Sequence, residues 1–588
     1  MPILSRYLPF ASKTTDTQAV TYLLAVCLFS ISFLVFLNSS VSFVITDLIG
    51  IKDGVGDLVG TLGFADELVA LLACPAWGIL SDRVGVRVVC VLGYAIVGLA
   101  LILFVQAKNV FPQLLLARLF FSVGGAATAT MVTAILPSMT ARKTDNSESS
   151  PNLRSALPEN VRHSIATESI DSEITITPTN YNGRRGSYPG DHSKTMKQSG
   201  SSPPRLAGLV GVFTGCGALV ALIAFLPLPA QFSRMKGVSQ GQAVADSFYV
   251  VGVVSLMVSC FCFIGLRGLA GEEGKGWRLL LGRPVVRDTA EVVYSHHGRE
   301  DTEKFQPYWK LITDSTILGF KDAQIGLGYL GGFVARASSV GISLFIPLYI
   351  NSYFIGHGFC QGSPNDPSPE LKKECRRAYV LAAELTGASQ LIALLCAPLF
   401  GYLSDRYRRF NIPLLVASVF GIIGYIGFAQ LASPEPQNID GRGGSPVVFI
   451  MVALIGISQI GAIVCSLGLL GRGVLGDEGG YNLSSQLQDA ASDADPNSSD
   501  TTETAPLIAS PSLRKPSSRN HLKGSIAGVY SLSGGAAILL LTKLGGYLFD
   551  NLSTGAPFYM MAVFNVILLV IGIGAGVYRE IRTAQMHR

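Results

Sequence analysis

Residues 67–83 read ELVALLACPAWGILSDR, and residues 390–406 read QLIALLCAPLFGYLSDR. Ten of the seventeen positions are identical at a constant offset of 323, in segments far too apolar for a soluble surface. Two weaker echoes keep the same order: Ser39-Ser40-Val41 against Ser338-Ser339-Val340, and GVFTGCGA from Gly211 against GVYSLSGG from Gly528. The chain is therefore read as a duplication of one hydrophobic unit. Its 588 residues are 49% apolar and only 14% charged, where soluble domains carry about 25% charged residues. That composition excludes an ordinary soluble protein, and a net charge of +5 is too mild to indicate a nucleic-acid partner.

Apolar runs of about 20 residues cross a hydrocarbon core as helices. Twelve are predicted, from Tyr22–Ile45 through Pro557–Val577. The ten-residue alternating segments of a β-barrel are missing from the sequence. The expected class is all-α, with twelve transmembrane helices in two pseudo-symmetric six-helix bundles. The expected organisation is an N-terminal segment 1–21, a first bundle 22–266, a linker 267–325, a second bundle 326–577 and a C-terminal segment 578–588. Each bundle carries a polar insertion after its fourth span, 138–204 and 473–522, too rich in Ser, Thr, Asn, Asp and Pro to bury a core. The linker holds Trp277 and Trp309 among mixed charge; it is read either as a plain connector or as partly helical along the inner surface.

Lys and Arg choose the orientation. Arg83 and Arg87, then Arg406, Arg408 and Arg409, stand in short loops on the side of both termini, which is read as cytoplasmic. The outer loop after span seven holds Cys360 and Cys375, and a disulfide between them would close it. The other eight cysteines lie in spans, where reduced, buried thiols are expected. Neither a phosphate-binding Gly-x4-Gly-Lys-Ser/Thr loop nor HExxH or CxxC is present, so the chain is read as neither an enzyme nor a metal or cofactor protein.

Ionisable side chains inside a span are costly and mark partners or a wet cavity. Asp66 and Glu67 lie about 17 Å of helix rise from Gly78, near mid-membrane, with Arg336 at similar depth and Arg118, Glu384 and Lys543 completing the set. Asp66 or Glu67 would load and release a proton, or form a static ion pair; the sequence leaves both open. Arg336 would favour an anionic or carboxylate-bearing solute, or else answer one of these carboxylates. Glu384 and Lys543 are read as structural.

The loop after span two, GILSDRVGVR, contains Gly78, Asp82, Arg83, Gly85 and Arg87, and GYLSDRYRR repeats it with Gly401, Asp405 and Arg406. A carboxylate there is expected to join a charge network, or to face the positive N-terminus of an entering helix, and so latch the halves together. Here the chain resembles the major facilitator superfamily of secondary transporters, whose loop after span two reads Gly-x-Leu-x-Asp-Arg-x-Gly-x-Arg/Lys. Span four, LLLARLFFSVGGAA, is similar to a motif of proton-coupled members through Arg118 and Gly124, with Phe121 and Ser122 departing from it. Span five, GLVGVFTGCG, is similar to the glycine-rich element of drug–proton antiporters of the fungal type, with Cys216 where proline is usual.

The resemblance implies a carrier of a small organic solute, probing alternate faces with protons as the expected drive, and spans one, four, seven and ten lining the cavity. That places Asn38, Ser39, Arg118, Arg336, Ser339 and Gln459 among the residues facing solute. The competing class is a transporter-like solute sensor signalling through its insertions. Glu503, Leu507 and Ile508 fit an acidic dileucine signal read by adaptor complexes, which favours a vacuolar or lysosome-like membrane over the plasma membrane. Because one chain holds both halves, a functional monomer in the lipid bilayer is expected.

Overall fold

The computed structural model describes residues 8–11, 14–51, 55–140, 202–235, 237–272, 275–276, 307–357, 376–407, 410–437, 444–476 and 519–586. Among them twelve helices are long and apolar enough to cross a membrane, and no strand occurs. Spans one to six are Asp16–Ile49, Leu58–Val84, Val86–Phe104, Val110–Thr140, Pro203–Phe232 and Gln240–Gly265. Spans seven to twelve are Ala323–Gly356, Val380–Arg406, Ile412–Ala429, Val447–Leu475, Lys523–Asn551 and Ala556–Ile581. The protein is an integral, multi-pass membrane protein.

Each predicted run matches one helix, and several helices overrun the predicted ends because capping groups, not hydropathy, set them. Span one starts at Asp16, inside the predicted 1–21 segment, where Thr15 and Gln18 form a reciprocal capping box. Span four continues to Thr140 and span five opens at Pro203-Pro204, so the first insertion is shorter at both ends than 138–204. Span ten runs to Leu475 and stops at Gly476, which has φ +70°; a short helix Asn520–Leu522 then leads into span eleven, trimming 473–522. Within the predicted linker 267–325, a separate helix Tyr308–Lys321 forms, and Asp322 caps span seven through the N–H groups of Gln324 and Ile325. The last helix extends to Met586, through most of the predicted tail 578–588.

Packing repeats between the halves. Span three packs on four and six, two on four, and one on five; nine packs on ten and twelve, eight on ten, and seven on eleven. Across the halves, two meets eleven and five meets eight, which are the same contact once the halves are exchanged. Each bundle has its own aromatic core: Phe36 and Phe104 against Phe248 in the first, and Tyr349, Phe428 and Phe558 in the second.

The seam between halves is closed by backbone against backbone. A Cβ on Gly78 would stand 2.9 Å from Gly528 Cα, and one on Gly401, 323 residues later, 2.9 Å from Gly208 Cα. With no hydrophobic force between helices in lipid, such close approach supplies the packing contacts that hold spans together. Both contacts lie toward the end of the bundles that carries Asp82 and Asp405.

Candidate functional site

At mid-span the first bundle buries an ion pair. Arg118 of span four sends Nη2 to Asp66 Oδ2 of span two at 2.7 Å and to Asn38 Oδ1 of span one at 2.5 Å. One turn on, the Ser122 hydroxyl donates to the Asp66 carbonyl at 2.7 Å, fixing span two against span four. Arg118 is 4% and Asp66 7% exposed, so each charge depends on the other for the solvation it lost. Arg118 Nε and Nη1 are buried without a hydrogen-bond partner among the described residues. Asn38 is exposed, so the pair has one polar edge on accessible space; Ser39 beside it is half-buried.

Glu67 follows Asp66 and points about 100° further round the helix. It is half-buried and lies in the field of Asp66, Arg336 and Arg118. Arg336 comes from span seven of the other half and lies against span eleven, its Cγ 2.7 Å from where a Cβ on Gly534 would stand. Of the two carboxylates, Asp66 is answered by Arg118 at 2.7 Å, while Glu67 lies in the field of both Arg336 and Arg118.

The second bundle answers this charged group with a neutral one. Gln390 occupies the position 323 residues after Glu67; its Nε2 donates to Gln459 Oε1 at 3.3 Å, and Gln459 Nε2 donates to Ser339 Oγ at 2.9 Å. Ser389 stands where the first half has Asp66, fully buried. Spans eight, ten and seven thus repeat the arrangement of two, four and one with amides and hydroxyls in place of charges. Gln390 was not singled out from the sequence, although the offset that aligned the two quoted segments places it opposite Glu67.

The charge network around Asp82 is built from more residues than its motif. Asp82 Oδ1 accepts the Gly524 N–H at 2.7 Å, and Oδ2 accepts the Ser525 N–H and hydroxyl at 2.6 Å each. Asp82 therefore caps span eleven of the opposite half, where the helix dipole favours a carboxylate. The segment after span six completes the group: Glu272 accepts the Val86 N–H at 2.7 Å and pairs with Lys275 at 3.2 Å and with Lys523 at 2.5 Å. Lys523, 2% exposed, also donates to Ser138 Oγ at 2.6 Å. Gly85 has φ +102°, and a Cβ on it would meet Glu272 Oε2 at 2.6 Å, so both its conformation and its neighbour require glycine.

The motif arginines hold flanking elements. Arg87 Nε donates to the Phe263 carbonyl at 2.8 Å, and the Arg83 guanidinium lies 5.2 Å from the Tyr308 ring. At the repeat, Asp405 pairs with Arg205 at 2.7 Å. Span five opens with Pro203-Pro204, which have no N–H to offer, and a guanidinium takes the place of the amides. Arg406 is exposed at the end of span eight.

Glu384 is exposed, and Lys543 is exposed with Nζ 4.0 Å from the Phe64 ring. Cys360, Cys375, Glu503, Leu507, Ile508 and Trp277 lie outside the described residues.

The family model of the Major Facilitator Superfamily matches residues 28–146, which take in span one from Leu28 onward and spans two to four, with Asn38, Asp66, Arg118 and the Asp82 loop. No curated protein matches the chain. Among solved structures, the proton:xylose symporter XylE bound to 6-bromo-6-deoxy-D-glucose is similar at 10% identity and TM-score 0.48, over 94% of this chain and 94% of that one. The E. coli fucose:proton symporter FucP is similar at 10% identity and TM-score 0.49, over 95% of this chain and 99% of that one. A major facilitator transporter FucP in the outward conformation gives 10% identity and TM-score 0.49 over 94% and 99%.

Proposed function

We propose that the chain is a secondary transporter that moves a small organic solute by alternating access, with protons as the coupling ion and both insertions in the cytoplasm. The observation that carries this reading is the buried Asp66–Arg118 ion pair at mid-span; Glu67 follows it on span two, in the electrostatic reach of Arg336 from the opposite half. Charges so far from water need a function to offset their desolvation. Here they sit where two repeated halves meet, the usual position of a carrier's site. Arg336 suits a solute with a carboxylate or other anionic group, and the Ser339 hydroxyl with the Gln459 and Gln390 amides suits its neutral polar part. An acidic dileucine signal at Glu503, Leu507 and Ile508 supports a vacuolar membrane.

Purified protein is first screened for solutes that raise its thermal stability, since a ligand of the folded form does so. The best solute is then tested for counterflow in proteoliposomes. A carrier concentrates labelled solute against an unlabelled pool; a sensor binds it and exchanges none, and that result would remove the transport reading.

A further inference from the structure

The helix Tyr308–Lys321 lies between the halves in sequence and touches spans seven, eleven and two. Its inner side is settled: Leu311 and Ser315 are buried, Tyr329 donates to the Ser315 carbonyl at 3.2 Å, and Gly319 packs on the Tyr329 ring. Its outer side presents large apolar side chains with the exposed Thr313 and Thr316 between them, and it is uncovered among the described residues. Trp309 is 76%, Ile317 46% and Phe320 90% exposed. Trp309 and Phe320 are eleven residues apart, about three turns with some 20° left over, so they share one stripe. Lys310 and Lys321 have the same spacing and, one residue further round, form a second exposed stripe along one flank of the first. Asp314 is half-buried.

An aromatic ridge flanked by lysines is the pattern of a helix lying in a membrane interface, with rings at headgroup depth and ammonium groups toward phosphate. Position supports the same occupant. Asp322 alone separates this helix from span seven, so Phe320 sits two residues from the point where the chain turns into the bilayer. The ridge is thus continuous with a surface already in lipid. We infer that the outer face of helix Tyr308–Lys321 is a docking surface for the bilayer itself, with Trp309, Ile317 and Phe320 seated in the interface and Lys310 and Lys321 engaging anionic phospholipid headgroups. The Arg83 guanidinium against the Tyr308 ring ties this helix to the Asp82 loop. The inference needs only the spans, so it stands whether or not the protein carries solute.

Trp309 is one of three tryptophans, so its emission is the difference between the parent and Trp309→Leu, which leaves Trp77 and Trp277 untouched. In nanodiscs, lipid brominated near the headgroup end of its chains should remove roughly half of that emission while aqueous iodide removes little, as for interfacial tryptophan. Phe320→Trp adds a reporter on the same stripe and should respond alike by gain of signal, even if Trp309→Leu fails to fold. Raising the phosphatidylserine content should deepen the bromine effect in the parent and not in Lys310→Glu/Lys321→Glu. Full quenching by iodide with none by brominated lipid would overturn the inference. So would protection from both quenchers, which would mean that protein, such as a second copy, covers the face. An equal phosphatidylserine response in the lysine variant would overturn the headgroup part.

Discussion

The Asp66–Arg118 contact is a single 2.7 Å ion pair with almost no water to fall back on. Removing one partner of such a pair typically costs about 3–5 kcal/mol, because the remaining charge is stranded. Asp66→Asn should therefore lower the melting temperature of detergent-purified protein clearly, and Asp66→Asn/Arg118→Gln should recover much of the loss. A double variant as unstable as the single would show that the pair contributes through something other than compensated charge. Glu67, half-buried and in the field of Arg336 from the other half, is the group proposed to carry the coupling. Glu67→Gln is expected to abolish accumulation driven by a pH gradient while solute exchange continues, as read by uptake with and without a gradient; unchanged uphill uptake would assign coupling elsewhere. The sequence exposed these residues because ionisable groups in apolar runs stand out. It did not say which carboxylate met which guanidinium, since that depends on helix rotation across separate spans.

Among the elements, the loop after span two and the start of span eleven form one unit although more than 440 residues separate Asp82 from Gly524. Asp82→Asn loses the charge at the helix N-terminus, worth up to about 2 kcal/mol, and sets an amide NH2, which cannot accept, against one of the span-eleven N–H groups that the buried carboxylate now satisfies. It should shift the protein toward forms open at the Asp82 end, seen as faster thiol labelling of a cysteine placed at Ser531. Equal labelling in variant and parent would count against the latch. Glu272→Gln should act in the same direction, because it leaves the buried Lys523 ammonium without the carboxylate that meets it at 2.5 Å. Asp82 facing a helix N-terminus was legible in the motif. Glu272 and Lys275 were not: they lie in a polar stretch without periodicity, and the partners they reach are on span two, span three and the other half. The helix ends were misplaced for a related reason, since hydropathy ignores Thr15, Gly476 and Asp322, which set them.

For the whole molecule, the repeat of 323 residues predicted two bundles, and the paired contacts of two with eleven and five with eight realise it. The duplication also made a difference between the halves visible, with the Asp66–Arg118 ion pair in one and the Gln390–Gln459–Ser339 chain of amides and a hydroxyl in the other. Alternating access requires the halves to part at the Asp82 end, where Gly78 meets Gly528 and Gly401 meets Gly208. Gly401→Leu should keep that seam from closing, since its side chain would enter the space of Gly208 and the Pro204 carbonyl; limited proteolysis of the Asp82 face should then accelerate, and an unchanged rate would show a seam able to absorb the bulk. The most direct test is a reversible lock across the halves. Thr130 of span four donates to Ser531 of span eleven at 3.4 Å, so Thr130→Cys/Ser531→Cys can be oxidised to a disulfide and reduced again in proteoliposomes. Counterflow of the stabilising solute should stop on oxidation and return on reduction; exchange that continues through the closed disulfide would contradict transport by separation of the two halves.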